Sequence, residues 1–200
     1  MSQASNLVPR ATEYARKAHE GMGFITVSGY DRPQTEHLQE VADLVWASGG
    51  TDIEVAAAWL HDSVEDTATT LEDIQAKFGD EVAKLVHELT DPEEIRELPT
   101  AERKQKQAER ICTESESARK IKLADQTSNV RCLTVNPKEV AWTVEGRRNY
   151  ALGAKAIAEQ CMGINSMLDA VFNREYTKVK QILDIGEDTA QTLERLDKDC

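Results

Sequence analysis

Apolar residues recur at helical spacing along most of the chain. After Pro33, residues Leu38, Val41, Ala42 and Val45 fall on one face of a helix that Gly49-Gly50 stops. Thr51-Asp-Ile-Glu54 reads as a capping box opening a second helix through Ala56-Ala57-Ala58-Trp59-Leu60 and on toward Asp66. Thr70-Leu-Glu-Asp73 opens a third, closed by Gly79, and Val82, Leu85, Val86 and Leu89 mark a fourth that ends before Asp91-Pro92. The Pro-containing stretch 91–99 reads as a loop, and Thr100 starts a charged helix running to about Thr113. Another helix begins near Ser117 and runs to about Leu133, and two more are expected over roughly 139–160 and 165–197. One segment departs from this period: Phe24-Ile25-Thr26-Val27 lies between glycines and favours a short extended piece or hairpin. The pattern predicts an all-α helical bundle with a small β-hairpin near residues 22–30. No loop is long enough to separate two domains, so residues 1–200 read as a single domain with its core at about 10–185.

Composition narrows the partners. The 200 residues carry 24 Lys+Arg against 36 Asp+Glu, a formal charge of −12. That balance argues against duplex nucleic acid and against an anionic membrane surface, because both bind through phosphate neutralisation. It leaves room for a small anionic substrate held at a local cationic site. Hydrophobic residues at 40% are too many for a disordered chain, and aromatics at 5% leave little for stacking bases. The longest apolar run, Val55 to Leu60, is far short of the ~20 residues of a membrane span. Residues 1–20 lack the apolar centre of a signal peptide, and the scattered Cys112, Cys132, Cys161 and Cys200 form no C-x-x-C pair. Together these features suggest a reduced, cytoplasmic protein with no disulfide framework.

The second helix carries the chemistry. It runs from strongly apolar residues straight into His61, Asp62, Glu65 and Asp66. An isolated His-Asp pair is most often a helix end, with the following acids a solvated turn. On a buried helix, however, these groups need compensation, and a divalent metal accepts neutral imidazole and carboxylate together. His37 falls on the apolar stripe of the preceding helix, and Asp125 lies on an apolar face with Ile121, Ala118 and Cys132. His37, His61, Asp62 and Asp125 make an N/N/O/O set from three helices that suits Mn²⁺ or another first-row divalent ion. Glu65 and Asp66 sit one turn beyond the His-Asp pair, placed to reach a water rather than to ligate. Lys122 and Asn129 share the stripe of Asp125 and are candidates to touch a bound phosphate.

The order His…His-Asp…Asp resembles that of the HD phosphohydrolase superfamily. Longer stretches are more specific: Ala58-Trp-Leu-His-Asp-Ser-Val-Glu-Asp-Thr67, Thr70 to Gly79, Val86 to Asp91, and Ile121-Lys-Leu-Ala-Asp125 through Asn129-Val-Arg131. These look like the hydrolase domain of the Rel/Spo alarmone enzymes and their stand-alone small relatives, over roughly residues 10–185. The resemblance implies an HD-domain bundle with one Mn²⁺ held by His37, His61, Asp62 and Asp125. It implies that Glu65 and Asp66 handle the nucleophilic water and that Asn129 lies near the substrate ribose. The reaction implied is removal of the 3′-pyrophosphate of (p)ppGpp, leaving GDP or GTP. With 200 residues there is no room for an additional synthetase domain, so degradation alone is expected.

The departure lies before His37, where the family carries an arginine nine residues ahead and this chain carries Ser28. Arg32 and Tyr30 are the candidate replacements for the missing contact, and Arg131, close behind Asn129, is a further candidate for substrate contact. Guanine preference is therefore left open, and (p)ppApp or another (deoxy)nucleotide phosphate fits the same chemistry. A non-catalytic nucleotide-binding module is a further alternative, against which the intact Glu65-Asp66 pair counts. The expected partner is a small nucleotide, with no nucleic acid and no membrane; oligomeric state is left open. Elsewhere the readings are plain: His87 a surface residue, His19 structural, Arg103 to Lys106 with Arg110 a solvated face, Tyr150 core, and 187–199 a solvated acidic end.

Overall fold

A computed structural model describes residues 6–25, 31–134 and 142–186. The loop of the expected hairpin (26–30), the link 135–141 and the acidic end lie outside the described residues. The described chain is overwhelmingly helical: α1 Leu7–Ala18, α2 Gln34–Ala47, α3 Asp52–Leu60, α4 Ser63–Asp66, α5 Leu71–Phe78 and α6 Asp80–Leu89 form the first half. The second half is α7 Glu93–Arg96, α8 Thr100–Ile111, α9 Glu116–Cys132, α10 Val144–Cys161 and α11 Ser166–Leu183. Between α1 and α2, β1 Gly23–Ile25 pairs antiparallel with β2 Asp31–Pro33, Phe24 standing opposite Arg32. The small ribbon delivers the chain into α2, with the Gln34 amide donating to the Met22 carbonyl at 3.0 Å.

Local chemistry sets the helix ends. Both expected capping boxes are present, Thr51 with Glu54 and Thr70 with Asp73. Gly79 closes α5 at φ 91°, a left-handed turn that costs glycine nothing. Three expectations are corrected. The stretch 91–99 contains a helical turn, α7, because Pro92 precedes Glu93 and Glu94 as an N-terminal start. The second helix ends at Leu60, and α4 restarts the helix at Ser63, so His61 and Asp62 occupy a junction. The last helix ends at Leu183, where Asp184 turns left-handed at φ 50°, rather than continuing toward 197.

The innermost element is α3: Val55, Ala56, Ala57, Ala58, Trp59 and Leu60 are all buried. Its three alanines carry almost no side chain, so α1 and α2 pack closely against it. On the other side, α9 is buried along nearly its whole length between α2, α10 and α11. At Gly153 in α10, an added Cβ would come within 2.7 Å of Lys104 Cβ, so glycine is what lets α8 and α10 close over that lysine. Cys112, Cys132 and Cys161 are free thiols. Among the described residues, no helix is long and apolar enough to cross a membrane.

Candidate active site

The junction after α3, the first turn of α2 and the centre of α9 meet at one point. His37 Nε2 lies 3.6 Å from Asp62 Oδ2 and 3.5 Å from Asp125 Oδ1. His61 Nε2 lies 3.1 Å from Asp62 Oδ1 and 4.0 Å from Asp125 Oδ1. His37, His61 and Asp62 each offer a ligand atom within 4.8 Å of the others, and Asp125 closes the fourth side.

Each imidazole is held by its other nitrogen. Nδ1 of His61 is 2.8 Å from the Ala58 carbonyl, and Nδ1 of His37 is 3.0 Å from Ser128 Oγ. The Ala58 carbonyl can only accept, so His61 carries its proton on Nδ1 and turns the Nε2 lone pair inward. That buried Nε2 has no hydrogen-bond partner. An orphaned acceptor beside two carboxylates is a poor arrangement for a bare protein and a good one for a divalent cation. By this test, the residues present fit a metal.

Electrostatics agree with the geometry. Burial pushes His37 down to about 3 and also lowers His61, so both rings stay neutral. Burial, with Asp66 and Asp125 nearby, raises Asp62 well above the usual carboxylate range. Burial acts the same way on Asp125, but the Lys122 ammonium beside it overcomes this and holds the carboxyl well below that range. Asp125 is also tightly positioned. Lys122 Nζ donates to its Oδ2 at 3.1 Å, Gln126 Nε2 to the same oxygen at 2.9 Å, and Asn129 Nδ2 to Oδ1 at 2.6 Å. Lys122 and Asn129, both candidates for substrate contact, are thus first of all the donors that aim Asp125.

Glu65 and Asp66 stand just outside this cluster, at the end of α4. Glu65 Oε1 accepts the Asp91 amide at 2.6 Å, and burial pushes the carboxyl up to about 7. Burial raises Asp66 as well. Gln34 Nε2 bridges the two groups, 2.9 Å from Asp62 Oδ2 and 3.3 Å from Asp66 Oδ2. Beyond the acids opens a cavity of about 300 Å³ whose wall includes Glu65, Asp66, Arg96, Arg103, Lys104 and Tyr150.

Sequence reasoning missed part of this wall. Lys104 is buried, not solvated; its Nζ lies 4.5 Å from the Tyr150 ring centroid and 3.3 Å from Gln126 Oε1. Burial lowers it to about 8. The signal was hidden because the charged residues of α8 give no apolar stripe to say which lysine points inward. Gln34 carried no signal beyond lying one turn before His37. His87 is exposed, as expected. Arg32 and Arg131 are not brought to the cavity. Both bond Glu40, at 3.1 and 2.5 Å, on the far side of His37.

Comparison with known proteins adds a family and relatives. The model of the HD domain matches residues 11–152. The chain is 36% identical over 141 residues to a guanosine-3′,5′-bis(diphosphate) 3′-pyrophosphohydrolase MESH1 of Drosophila melanogaster, covering 70% of this chain and 76% of that one. The human protein of the same name is 35% identical over 170 residues, covering 84% of this chain and 91% of that one. A solved structure described as a metazoan ortholog of SpoT that hydrolyzes ppGpp superposes with a TM-score of 0.78 at 30% identity, covering 89% of this chain and 98% of the other.

Proposed function

The chain belongs to the HD domain family, and from that premise we propose that it removes the 3′-pyrophosphate of (p)ppGpp-like alarmones, giving GDP or GTP and pyrophosphate. The observation that carries this reading is the cluster of buried His37, His61 and Asp125 with half-buried Asp62, with an orphaned His61 Nε2, set beside Glu65 and Asp66. The activity after which its relatives are named supplies the reaction. We assign the metal as a single Mn²⁺ held by those four side chains, and the protein as one cytoplasmic domain.

When bound, the metal supplies Lewis-acid polarisation of a phosphoryl oxygen and a more acidic water. The chain's own residues do the rest. Glu65, with a carboxyl raised to about 7, takes the proton of the attacking water near neutral pH. Asp66, tied to Asp62 through Gln34, orients that water. Arg103 and Lys104 balance the phosphate charge in the cavity, where low dielectric strengthens each contact. This local set answers the overall charge of −12, since no general basic field is available to attract the substrate.

With Ser28 at the place of the family arginine, guanine preference is left open, and hydrolysis of (p)ppApp or another (deoxy)nucleotide phosphate fits the same chemistry. Incubating the protein and Mn²⁺ with ppGpp, ppApp, dATP and dGTP separates these readings. GDP and pyrophosphate from ppGpp are expected, whereas turnover confined to dATP and dGTP contradicts the alarmone reading. Tight nucleotide binding without turnover would instead identify a binding module.

A further inference from the structure

We propose that Glu40, acting through Ser128, fixes which nitrogen of His37 carries the proton, and that Arg32 and Arg131 serve this relay rather than the substrate. The inference rests on the metal site proposed above for its purpose, and on separate atoms for its evidence. Glu40 follows His37 by three residues on α2. Its Oε2 accepts the Ser128 hydroxyl at 2.6 Å and Arg32 Nη2 at 3.1 Å, while its Oε1 accepts Arg131 Nη1 at 2.5 Å. Ser128 is fully buried, and its Oγ lies 3.0 Å from His37 Nδ1.

The direction of every proton in this chain is forced. A carboxylate facing two guanidiniums stays ionised and has no proton to give. The Ser128 hydroxyl must therefore donate to Glu40. Its remaining lone pairs face His37, so the imidazole proton must sit on Nδ1. Nε2 is then left as a lone pair directed at Asp62 and Asp125, the form a metal requires. With a neutral amide in place of Glu40, the hydroxyl could turn round and donate to Nδ1, which would put the imidazole proton on Nε2. Glu40 and Ser128 are positioning residues, and Arg32 and Arg131 keep Glu40 charged and in place. Cys132 Sγ, 3.6 Å from Arg32 Nη1, and Glu36, 3.2 Å from Arg32 Nε, complete the anchorage of Arg32.

The test needs no substrate. Nitrogen NMR of histidine-labelled, metal-free protein at neutral pH reports which ring nitrogen is protonated, and the paramagnetic resonance of free Mn²⁺ reports affinity. In the wild type, His37 is expected as the Nδ1–H tautomer. Glu40→Gln is expected to shift it toward Nε2–H and weaken Mn²⁺ about 10–100-fold, with His61 unchanged. Ser128→Ala should weaken Mn²⁺ comparably, and Glu40→Gln should add nothing on top of it, because the two act through one bond. An Nε2–H tautomer in the wild type overturns the relay without any variant. Unchanged tautomer and affinity in Glu40→Gln, or fully additive losses in the double variant, also overturn it. Failure to hydrolyse ppGpp with the Nδ1–H tautomer intact would sink the proposed substrate and leave the relay standing.

Discussion

His61 takes its orientation from the helix it terminates: Nδ1 reaches the Ala58 carbonyl, three residues earlier, at 2.8 Å. His37 takes its orientation from Ser128, 91 residues further along the chain, at 3.0 Å. The first support is backbone, which no side-chain substitution at Ala58 can delete. The second is made of side chains from two helices, each replaceable. A site with one locally guaranteed imidazole and one dependent on tertiary packing has a strong half and a tunable half. Loss of packing between α2 and α9 should reach His37 before it reaches His61.

The severest way to break this comparison is to remove the carboxylate that both rings face. Asp125→Ala should abolish Mn²⁺ binding and activity together. It should also cost about 3–5 kcal/mol in the metal-free protein, because Lys122 is left buried without its partner. Metal titration and thermal melting check both effects. Glu65→Gln, by contrast, should leave both histidines and the metal undisturbed while lowering kcat about 100–10,000-fold. The pH dependence sharpens the assignment. Burial raises Glu65 to about 7, so below that pH the carboxyl holds its proton and cannot accept another. The wild-type rate should climb as pH rises through about 7, and the residual rate of Glu65→Gln should lack that limb. Equal loss of metal in Asp125→Ala and Glu65→Gln would show that Glu65 is a ligand.

Smaller effects test the surroundings. Lys104→Met keeps the stem packed under Gly153 and removes only the charge, so KM should rise about 10–100-fold, the worth of a hydrogen bond to a charged group. An unchanged KM would place the substrate phosphates outside this cavity. Smallest of all, Thr51→Ala removes the cap of the helix that holds His61, costing about 1 kcal/mol, or about 2–4 °C in Tm. Its Mn²⁺ affinity should stay at the wild-type value, because the Ala58 carbonyl lies beyond the frayed first turn.

The same contrast explains what could be read from the chain alone. The His61-Asp62-Glu65-Asp66 group was legible because it follows a continuous apolar run, where buried charge demands a partner. The capping boxes at Thr51 and Thr70 were legible because their signal spans only one turn. The junction at His61 was not, since both of its residues keep right-handed helical angles and no glycine or proline marks the break. Lys104 and Gln34 could not be read either. Their roles depend on which helix lies against them, and Gly153, forty-nine residues away, is what buries Lys104. Arg32 and Arg131 drew attention as cations close to the motif, yet nothing in the spacing marks Glu40 as the partner of both. Charge identifies a residue that needs a partner, and only packing says which partner it finds.

The most direct test of the metal centre is anomalous diffraction from Mn²⁺-loaded crystals of the wild-type protein. One strong peak is expected, enclosed by Nε2 of His37, Nε2 of His61 and the carboxylates of Asp62 and Asp125, with Glu65 outside bonding distance. A peak ligated by Glu65 and Asp66 instead, or no peak at the histidines, would contradict that assignment.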